Sequence, residues 1–170
     1  MRILRSLGDF SRRSPSTAVA IGNFDGLHLG HQKILASLIR AARVDGLTPL
    51  VLTFSPHPEK ILGRRRLAMI QTLAQRLEGI RNSGVAIAVV IPFNRAFSSL
   101  SKEEFARQVL VESLRAKKVV VGSNFRFGRR QEGDVADLKE LGRRLGFSVL
   151  SIRPVVRQGK PVSSSRIRSL

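Results

Sequence analysis

The sequence AVAIGNFDGLHLGH, residues 18–31, joins an apolar run to a glycine-rich turn and then to the start of a helical pattern. The first four residues are continuously apolar, as in a strand that is buried on both faces. His28 and His31 follow one helical turn apart, so both side chains lie on the same face of the predicted helix. A strand, a glycine-rich turn and a helix in this order are typical of a phosphate site, because free backbone amides and the positive helix end attract anions.

Apolar runs alternate with helical segments along the rest of the chain. This alternation predicts a doubly wound, Rossmann-like α/β fold, with a parallel sheet of about five strands and helices on both faces. Because the apolar runs are continuous, we expect the strands to be covered on both sides. The predicted strands are Ala18 to Ile21, Leu50 to Phe54, Ala86 to Ile91, Val119 to Val121 and Phe147 to Ile152.

Helices are predicted between these strands from caps and from apolar faces. Ser101 and Glu104 form a capping box, and Asp134 can cap a helix that Gly146 ends. Two further helices have one apolar face each, formed by Ile34, Leu35, Leu38, Ile39 and Ala42 in the first and by Ile70, Leu73, Leu77 and Ile80 in the second.

Composition limits the possible functions. A chain of 170 residues with 42% hydrophobic content is long enough for one domain, which we expect to span residues 1–170. The absence of cysteine excludes disulfides, thiolate nucleophiles, iron–sulfur clusters and cysteine zinc sites. The chain has no long apolar run and no hydrophobic signal segment near Met1, so we expect a soluble, cytoplasmic protein without a membrane partner.

The net charge of +18 predicts attraction to phosphates, and a nucleotide, a nucleic acid and an anionic membrane surface all fit it. A basic nucleic-acid-binding module therefore stays open as an alternative. No helix-turn-helix, zinc-finger or RRM signature is recognisable, and Tyr and Trp are absent, so we expect no specific nucleic-acid partner.

The two histidines of the opening motif have several possible roles. Imidazoles at a helix start can donate hydrogen bonds to phosphate oxygens, although a capped helix with two incidental surface histidines would give the same pattern. A zinc site is disfavoured because no third ligand follows at a recognisable spacing. We therefore expect no metal ligand from the protein.

Residues 21–32 (IGNFDGLHLGHQ) resemble the opening motif of the FAD synthetase module of bacterial bifunctional riboflavin kinase/FMN adenylyltransferases. The HxGH element within this motif is shared by a wider nucleotidyltransferase superfamily. Three later segments resemble the family's other motifs in the same order: TFSPHP (53–58), VGSNFRFG (121–128) and VSSSRIRSL (162–170). The resemblance extends from about Val19 to the last residue.

This resemblance implies an FAD synthetase that transfers AMP from ATP to FMN, with Mg2+ bound mainly through substrate phosphates. By position, the catalytic residues are His28, His31 and Arg168. The nucleotide-binding residues are Gly22, Asn23, Phe24, Gly30, Asn124, Ser163, Ser164, Ser165 and Arg166. The flavin-binding residues are Pro56, His57 and Pro58. The cluster from Arg64 to Arg66 could steer the FMN phosphate, with a solvated loop as the alternative.

The chain departs from the family's pattern in three ways. Asn124 replaces the aspartate of many relatives, which weakens any assignment of charge or metal binding there, and Ser165 replaces the usual threonine but keeps the hydroxyl. Relatives usually continue into a riboflavin kinase domain, so we expect no kinase activity. Because the HxGH and SSSRIR elements belong to the superfamily, another phosphorylated acceptor such as phosphopantetheine or nicotinamide mononucleotide stays open, while TFSPHP and VGSNFRFG favour flavin.

Overall fold

The computed structural model describes residues 1–10, 13–63 and 66–170. Within these residues, six parallel strands form one sheet. They are β1 (Arg2–Leu4), β2 (Thr17–Ile21), β3 (Thr48–Phe54), β4 (Ile87–Ile91), β5 (Ala116–Gly122) and β6 (Ser148–Ile152).

The strand order is β1-β4-β3-β2-β5-β6, so the chain builds outward from β2 in both directions. This order confirms the predicted doubly wound sheet and its five strands, and it adds β1 at one edge. The crevice outside the carboxyl ends of β2 and β5 is the switch point at which such sheets bind their ligands.

Helices connect the strands and cover both faces of the sheet. They are α1 (Leu29–Asp45), α2 (Pro58–Leu62), α3 (Leu73–Asn82), α4 (Arg95–Ser98), α5 (Lys102–Glu104), α6 (Val135–Leu145) and α7 (Ser164–Arg168). A π-helical segment, Phe105–Ser113, continues directly from α5. A small antiparallel hairpin of β7 (Val156–Arg157) and β8 (Lys160–Pro161) precedes α7. No helix within the described ranges has the length and apolar character needed to cross a membrane.

The central strands are buried on both faces, as their continuous apolar runs predict. In β2, Val19 and Ile21 pack into one core cluster, while Ala18 and Ala20 pack into the other. The prediction is wrong for β6, in which every residue keeps some solvent exposure. The reason is its position, because an edge strand has a neighbour on one side only.

The predicted helix caps are confirmed. Ser101 forms the capping box with Glu104, and Asp134 caps α6, which ends at Gly146 in the left-handed conformation (φ 89°). One boundary was wrong: Ile70 precedes α3, since Thr72 is the N-cap of that helix. The sequence pattern does not show this helix boundary, because the apolar residues keep their helical spacing across Thr72.

Candidate active site

The loop after β2 forms a tight turn at the carboxyl edge of the sheet. Phe24 and Leu27 have positive φ angles of 52° and 38°, and Gly26 has a φ of 86°. A Cβ on Gly26 would lie 3.0 Å from the Ile70 side chain, so both the close approach and the positive φ favour glycine here. Phe24 is fully buried and belongs to a core cluster with Leu35 and Leu38. Its predicted place in the nucleotide site stays a prediction.

The two histidines lie side by side at the start of α1. Their rings are stacked, with centroids 3.7 Å apart and an interplanar angle of 20°. His28 is the N-cap, and its Nδ1 accepts hydrogen bonds from the amides of Gly30 (3.1 Å) and His31 (3.4 Å). Because Nδ1 is an acceptor, the neutral ring carries its proton on Nε2, which can donate to a ligand.

Both imidazoles are held in the neutral form. Burial lowers the pKa of His28, and burial together with the neighbouring His28 lowers the pKa of His31 to about 3. Nδ1 of His31 is buried and has no hydrogen-bond partner among the described residues. The ring of Phe24 packs against the same imidazole at 5.3 Å. The pair therefore offers fixed neutral donors rather than exposed cations.

Gly30 allows this close arrangement. A Cβ at Gly30 would lie 3.0 Å from Cε1 of His28 and 3.1 Å from its Nδ1. The carbonyl oxygen of Val162 would lie 3.8 Å away, so the start of α1 also faces the segment before α7. Any side chain here would displace the His28 ring.

Asp25 connects the loop to two distant segments, and sequence reasoning gave it no role. Its carboxylate is almost fully buried, accepts the amides of Ile70 (3.1 Å) and Gln71 (3.0 Å), and forms an ion pair with Arg168. Burial alone raises the pKa of Asp25, but the two amides and Arg168 more than offset it, so the pKa lies below the ordinary 3.8. The carboxylate therefore stays charged.

The helix α7 docks on the same loop. Ser163 caps the helix by accepting the amide of Arg166 (3.2 Å), and Ser164 donates its hydroxyl to the Asp25 carbonyl (2.7 Å). Arg168 also donates from Nε to the Ala68 carbonyl (2.8 Å). The first and fourth motifs are thus brought together, as the resemblance implied.

The other two residues of α7 that were predicted to bind the nucleotide are Ser165 and Arg166. Ser165 is exposed, and Arg166 donates to the Lys160 carbonyl (3.3 Å) in the β7–β8 hairpin. In this arrangement the Arg166 and Arg168 guanidiniums are partly engaged by protein groups. Their predicted contact with phosphates stays a prediction.

A cavity of about 730 Å³ opens beside the histidine loop. Gly22 and Asn23 line it from the loop, Asn124, which is exposed, lines it from the third motif, and Pro58, which is partly buried, lines it from the second. Its wall is a connected set of aromatic rings with centroid distances of 5.6 to 6.1 Å. The rings belong to Phe54, Phe93, Phe97, Phe105, Phe125 and Phe127.

The second motif is divided between two concavities. Pro58 lines the aromatic cavity, whereas Pro56 and His57 line a separate concavity of about 570 Å³. His57 is the N-cap of α2 and accepts the Glu59 amide at 3.2 Å, and burial lowers the pKa of His57. The three residues predicted to bind flavin therefore line two concavities, and their contact with flavin stays a prediction.

Two further predictions concern the arginine cluster and a metal ion. Arg64 and Arg65 of the predicted steering cluster lie outside the described residues. Within the described ranges, no cluster of three or more His, Cys, Asp or Glu could hold a metal ion.

The sequence matches the family described as FAD synthetase over residues 11–166. It is 33% identical over 170 residues to the bifunctional riboflavin kinase/FMN adenylyltransferase of Buchnera aphidicola subsp. Schizaphis graminum, covering 99% of this chain and 54% of that protein. The protein of the same description from Escherichia coli K12 is 32% identical with the same coverage. The chain thus spans about half the length of the curated relatives it matches.

Two solved structures are also similar. A protein from Streptococcus pneumoniae described as a macrolide-efflux protein has a TM-score of 0.86 and 29% identity, covering 99% of this chain and 56% of that one. A pantoate-beta-alanine ligase from Francisella tularensis has a TM-score of 0.64 at 15% identity, covering 100% and 73%, which shows a shared fold alone. Since the family match spans residues 11–166, which is most of the 170-residue chain, the chain belongs to the FAD synthetase family.

Proposed function

We propose that this chain transfers the AMP moiety of ATP to the phosphate of FMN, giving FAD and pyrophosphate. The observation that carries the proposal is the position of the stacked His28–His31 pair at the start of α1, directly after a loop whose first residues, Gly22 and Asn23, line the aromatic cavity. A site for phosphates and a site for a flat ring system therefore adjoin. The curated relatives named FMN adenylyltransferase support the same reaction.

The aromatic cavity suits the isoalloxazine ring of a flavin. Its volume of about 730 Å³ falls within the range of roughly 300 to 1,000 Å³ that is usual for small-molecule sites. Phe125 and Phe127 are nearly parallel (7°) at 5.6 Å, while Phe54 and Phe93 meet edge to face (86°) at 5.7 Å. Such rings favour a flat aromatic ligand by stacking and edge contacts.

The reaction needs no nucleophile from the protein. An oxygen of the FMN phosphate forms a bond to the α-phosphorus of ATP while the bond to the bridging oxygen of the β-phosphate breaks, and pyrophosphate leaves in line. Catalysis then depends on alignment and on stabilising the charge that develops on phosphate oxygens. We assign that role to the Nε2–H of His28 and to the single ring N–H of neutral His31. Neutral donors already fixed by the helix start need no reorganisation during the reaction.

The α7 helix completes the proposed triphosphate site. Ser163 and Ser164 lie at its start, and Arg168 adds a positive charge whose position is set by Asp25. Asp25 is already engaged by two amides and a guanidinium, so it makes a poor ligand for Mg2+. Magnesium accordingly enters the proposal bound to the phosphates of ATP, as part of the substrate.

The test is chromatographic detection of FAD after the purified chain is incubated with FMN, ATP and Mg2+. We expect FAD to form from FMN, and we expect no product when riboflavin replaces FMN. Phosphopantetheine and nicotinamide mononucleotide serve as competing acceptors in parallel reactions. Adenylation of either of these, with FMN left unchanged, would refute the proposed acceptor but keep the reaction class.

A further inference from the structure

Arg76 of α3 is a charged side chain that is only 2% exposed. Its Nη1 donates to the carbonyl oxygen of Asn23 (2.6 Å), and its Nη2 donates to the carbonyl oxygen of Phe54 (3.0 Å). The hydroxyl of Thr53 donates to the same Asn23 carbonyl at 3.3 Å. The buried guanidinium thus joins two main-chain positions that lie 31 residues apart in sequence, residues 23 and 54.

These two carbonyls lie where the pairing of β2 with β3 stops. Ile21 is in register with Leu52, and the amide of Gly22 makes the next hydrogen bond, to the Leu52 carbonyl (3.1 Å). Beyond that point the chain turns into the histidine loop and no longer follows β3. The planar fork of arginine can bind both carbonyls at once, which a point charge such as the lysine ammonium cannot do with the same geometry.

Burying this guanidinium is costly. Burial lowers the pKa of Arg76, and the negative charge of Asp25 acts in the opposite direction. Nε of Arg76 is buried without a hydrogen-bond partner among the described residues. A polar group that is incompletely satisfied in the interior destabilises the fold.

Asn23 and Phe54 belong to different parts of the proposed active site. Asn23 begins the loop that leads to Asp25 and His28, and it also lines the aromatic cavity. Phe54 forms part of the aromatic wall, with ring centroids 5.7 Å from Phe93 and 5.6 Å from Phe97. One side chain therefore fixes the phosphate-binding loop relative to the wall of the flavin cavity.

We propose that Arg76 is a positioning residue that sets the alignment of the flavin phosphate with the α-phosphorus of ATP. This inference rests on the proposed function. Arg76 acts through the Asn23 and Phe54 backbones, which makes its effect one of geometry. Its loss is expected to lower kcat and to leave substrate affinity nearly unchanged, since the groups that contact the substrates are all retained and only their relative alignment changes.

The test compares Arg76→Lys with Arg81→Lys in the FAD-forming assay. Lysine keeps the charge at position 76 but cannot bridge both carbonyls, and a displacement of about 1 Å at the reacting atoms lowers the rate about 10²-fold. We expect kcat to fall roughly 10- to 100-fold, with KM for FMN and for ATP within about threefold. Arg81 lies on the same helix and pairs with Glu78 at the surface, so its substitution should leave kcat unchanged.

Thr53→Val provides a milder second variant. It removes only the hydroxyl that donates, together with Arg76, to the Asn23 carbonyl. We expect a fall in kcat of about two- to tenfold, as for the loss of one hydrogen bond. All variants are assayed well below their melting temperatures, and FMN binding is measured by quenching of flavin fluorescence.

The outcomes separate this inference from the function on which it rests. Wild-type kcat in both Arg76→Lys and Thr53→Val, or a loss confined to KM or to melting temperature, would overturn the positioning role while leaving FAD synthesis established. Absence of FAD from the wild-type chain would overturn both proposals.

Discussion

The Asp25–Arg168 ion pair gives a quantitative prediction about stability. The side chain of Asp25 is 1% exposed and that of Arg168 is 15% exposed, so the pair is largely removed from water. Asp25→Asn removes one charge and leaves the guanidinium without its counter-ion. Breaking a buried pair in this way costs about 3 to 5 kcal/mol. Asparagine keeps an oxygen that can accept the Gln71 amide, which places the expected loss near the lower value, about 3 kcal/mol.

For a protein of this length, each kcal/mol shifts the melting temperature by about 2 to 4 °C. Asp25→Asn should therefore melt about 6 to 12 °C below the wild-type chain. The measurement is thermal and urea unfolding followed by circular dichroism. The matched control is Asp45→Asn, which breaks the Lys118 ion pair, in which the two side chains are 24% and 35% exposed. That loss should stay below about 1 kcal/mol. Equal losses in the two variants would refute the reasoning.

The Asp25–Arg168 ion pair also predicts how the stability of the protein depends on pH. The pKa of Asp25 is lowered in the folded protein, so the stabilisation is fully present above the ordinary value of 3.8 and is lost as the pH falls through the folded-state pKa. The difference in unfolding free energy between wild type and Asp25→Asn should therefore be constant near neutral pH and narrow below pH 3.8. A difference that persists unchanged in acid would contradict this assignment.

Three predictions concern activity. His28→Ala and His31→Ala should each lower kcat by about 10²-fold or more, as for loss of an oxyanion donor, and near-normal turnover by either would remove it from the mechanism. Gly30→Ala should also lower kcat, because the new methyl group would meet the His28 ring at 3.0 Å; unchanged kcat would show that the ring position is not critical. Phe97→Ala should raise KM for FMN by about tenfold, as expected for the loss of roughly 1.4 kcal/mol of aromatic contact, and leave KM for ATP unchanged. Equal changes in both constants would argue against flavin in the aromatic cavity.

The strands and helix caps could be predicted from sequence because their causes are local. The run Leu50 to Phe54 carries its strand signal in five consecutive residues, four of them apolar, and Asp134 caps α6 through an amide only three residues away. The errors arise where neighbours in space decide. β1 has three residues, too few for a pattern, and it forms a strand because β4 lies beside it. The exposure of β6 follows from its place at the edge of the sheet.

The same difference between local causes and distant neighbours applies to the residues of the site. The spacing of His28 and His31 predicts a shared helical face, and their rings do stack. Asp25 and Arg76 carry no such signal, because their partners are distant: Arg168 is 143 residues from Asp25, and Asn23 is 53 residues from Arg76. A buried arginine also violates the usual preference of charged side chains for water, so pattern alone assigns it to the surface.

The aromatic cavity shows what the fold determines and what it leaves to the side chains. The topology of a doubly wound sheet places ligands outside the carboxyl ends of its strands, whatever the ligand is. The chemistry there depends on residues that follow several different strands, and six of the nine phenylalanines in this sequence contribute to the cavity. Phe125 and Phe127 could equally have been core residues, and Phe127 is in fact almost fully buried. The wall forms only when the end of β3 meets the segments after β4 and β5. An aromatic acceptor could therefore be inferred from the motifs by resemblance, but from the physics of the residues only after the chain had been folded.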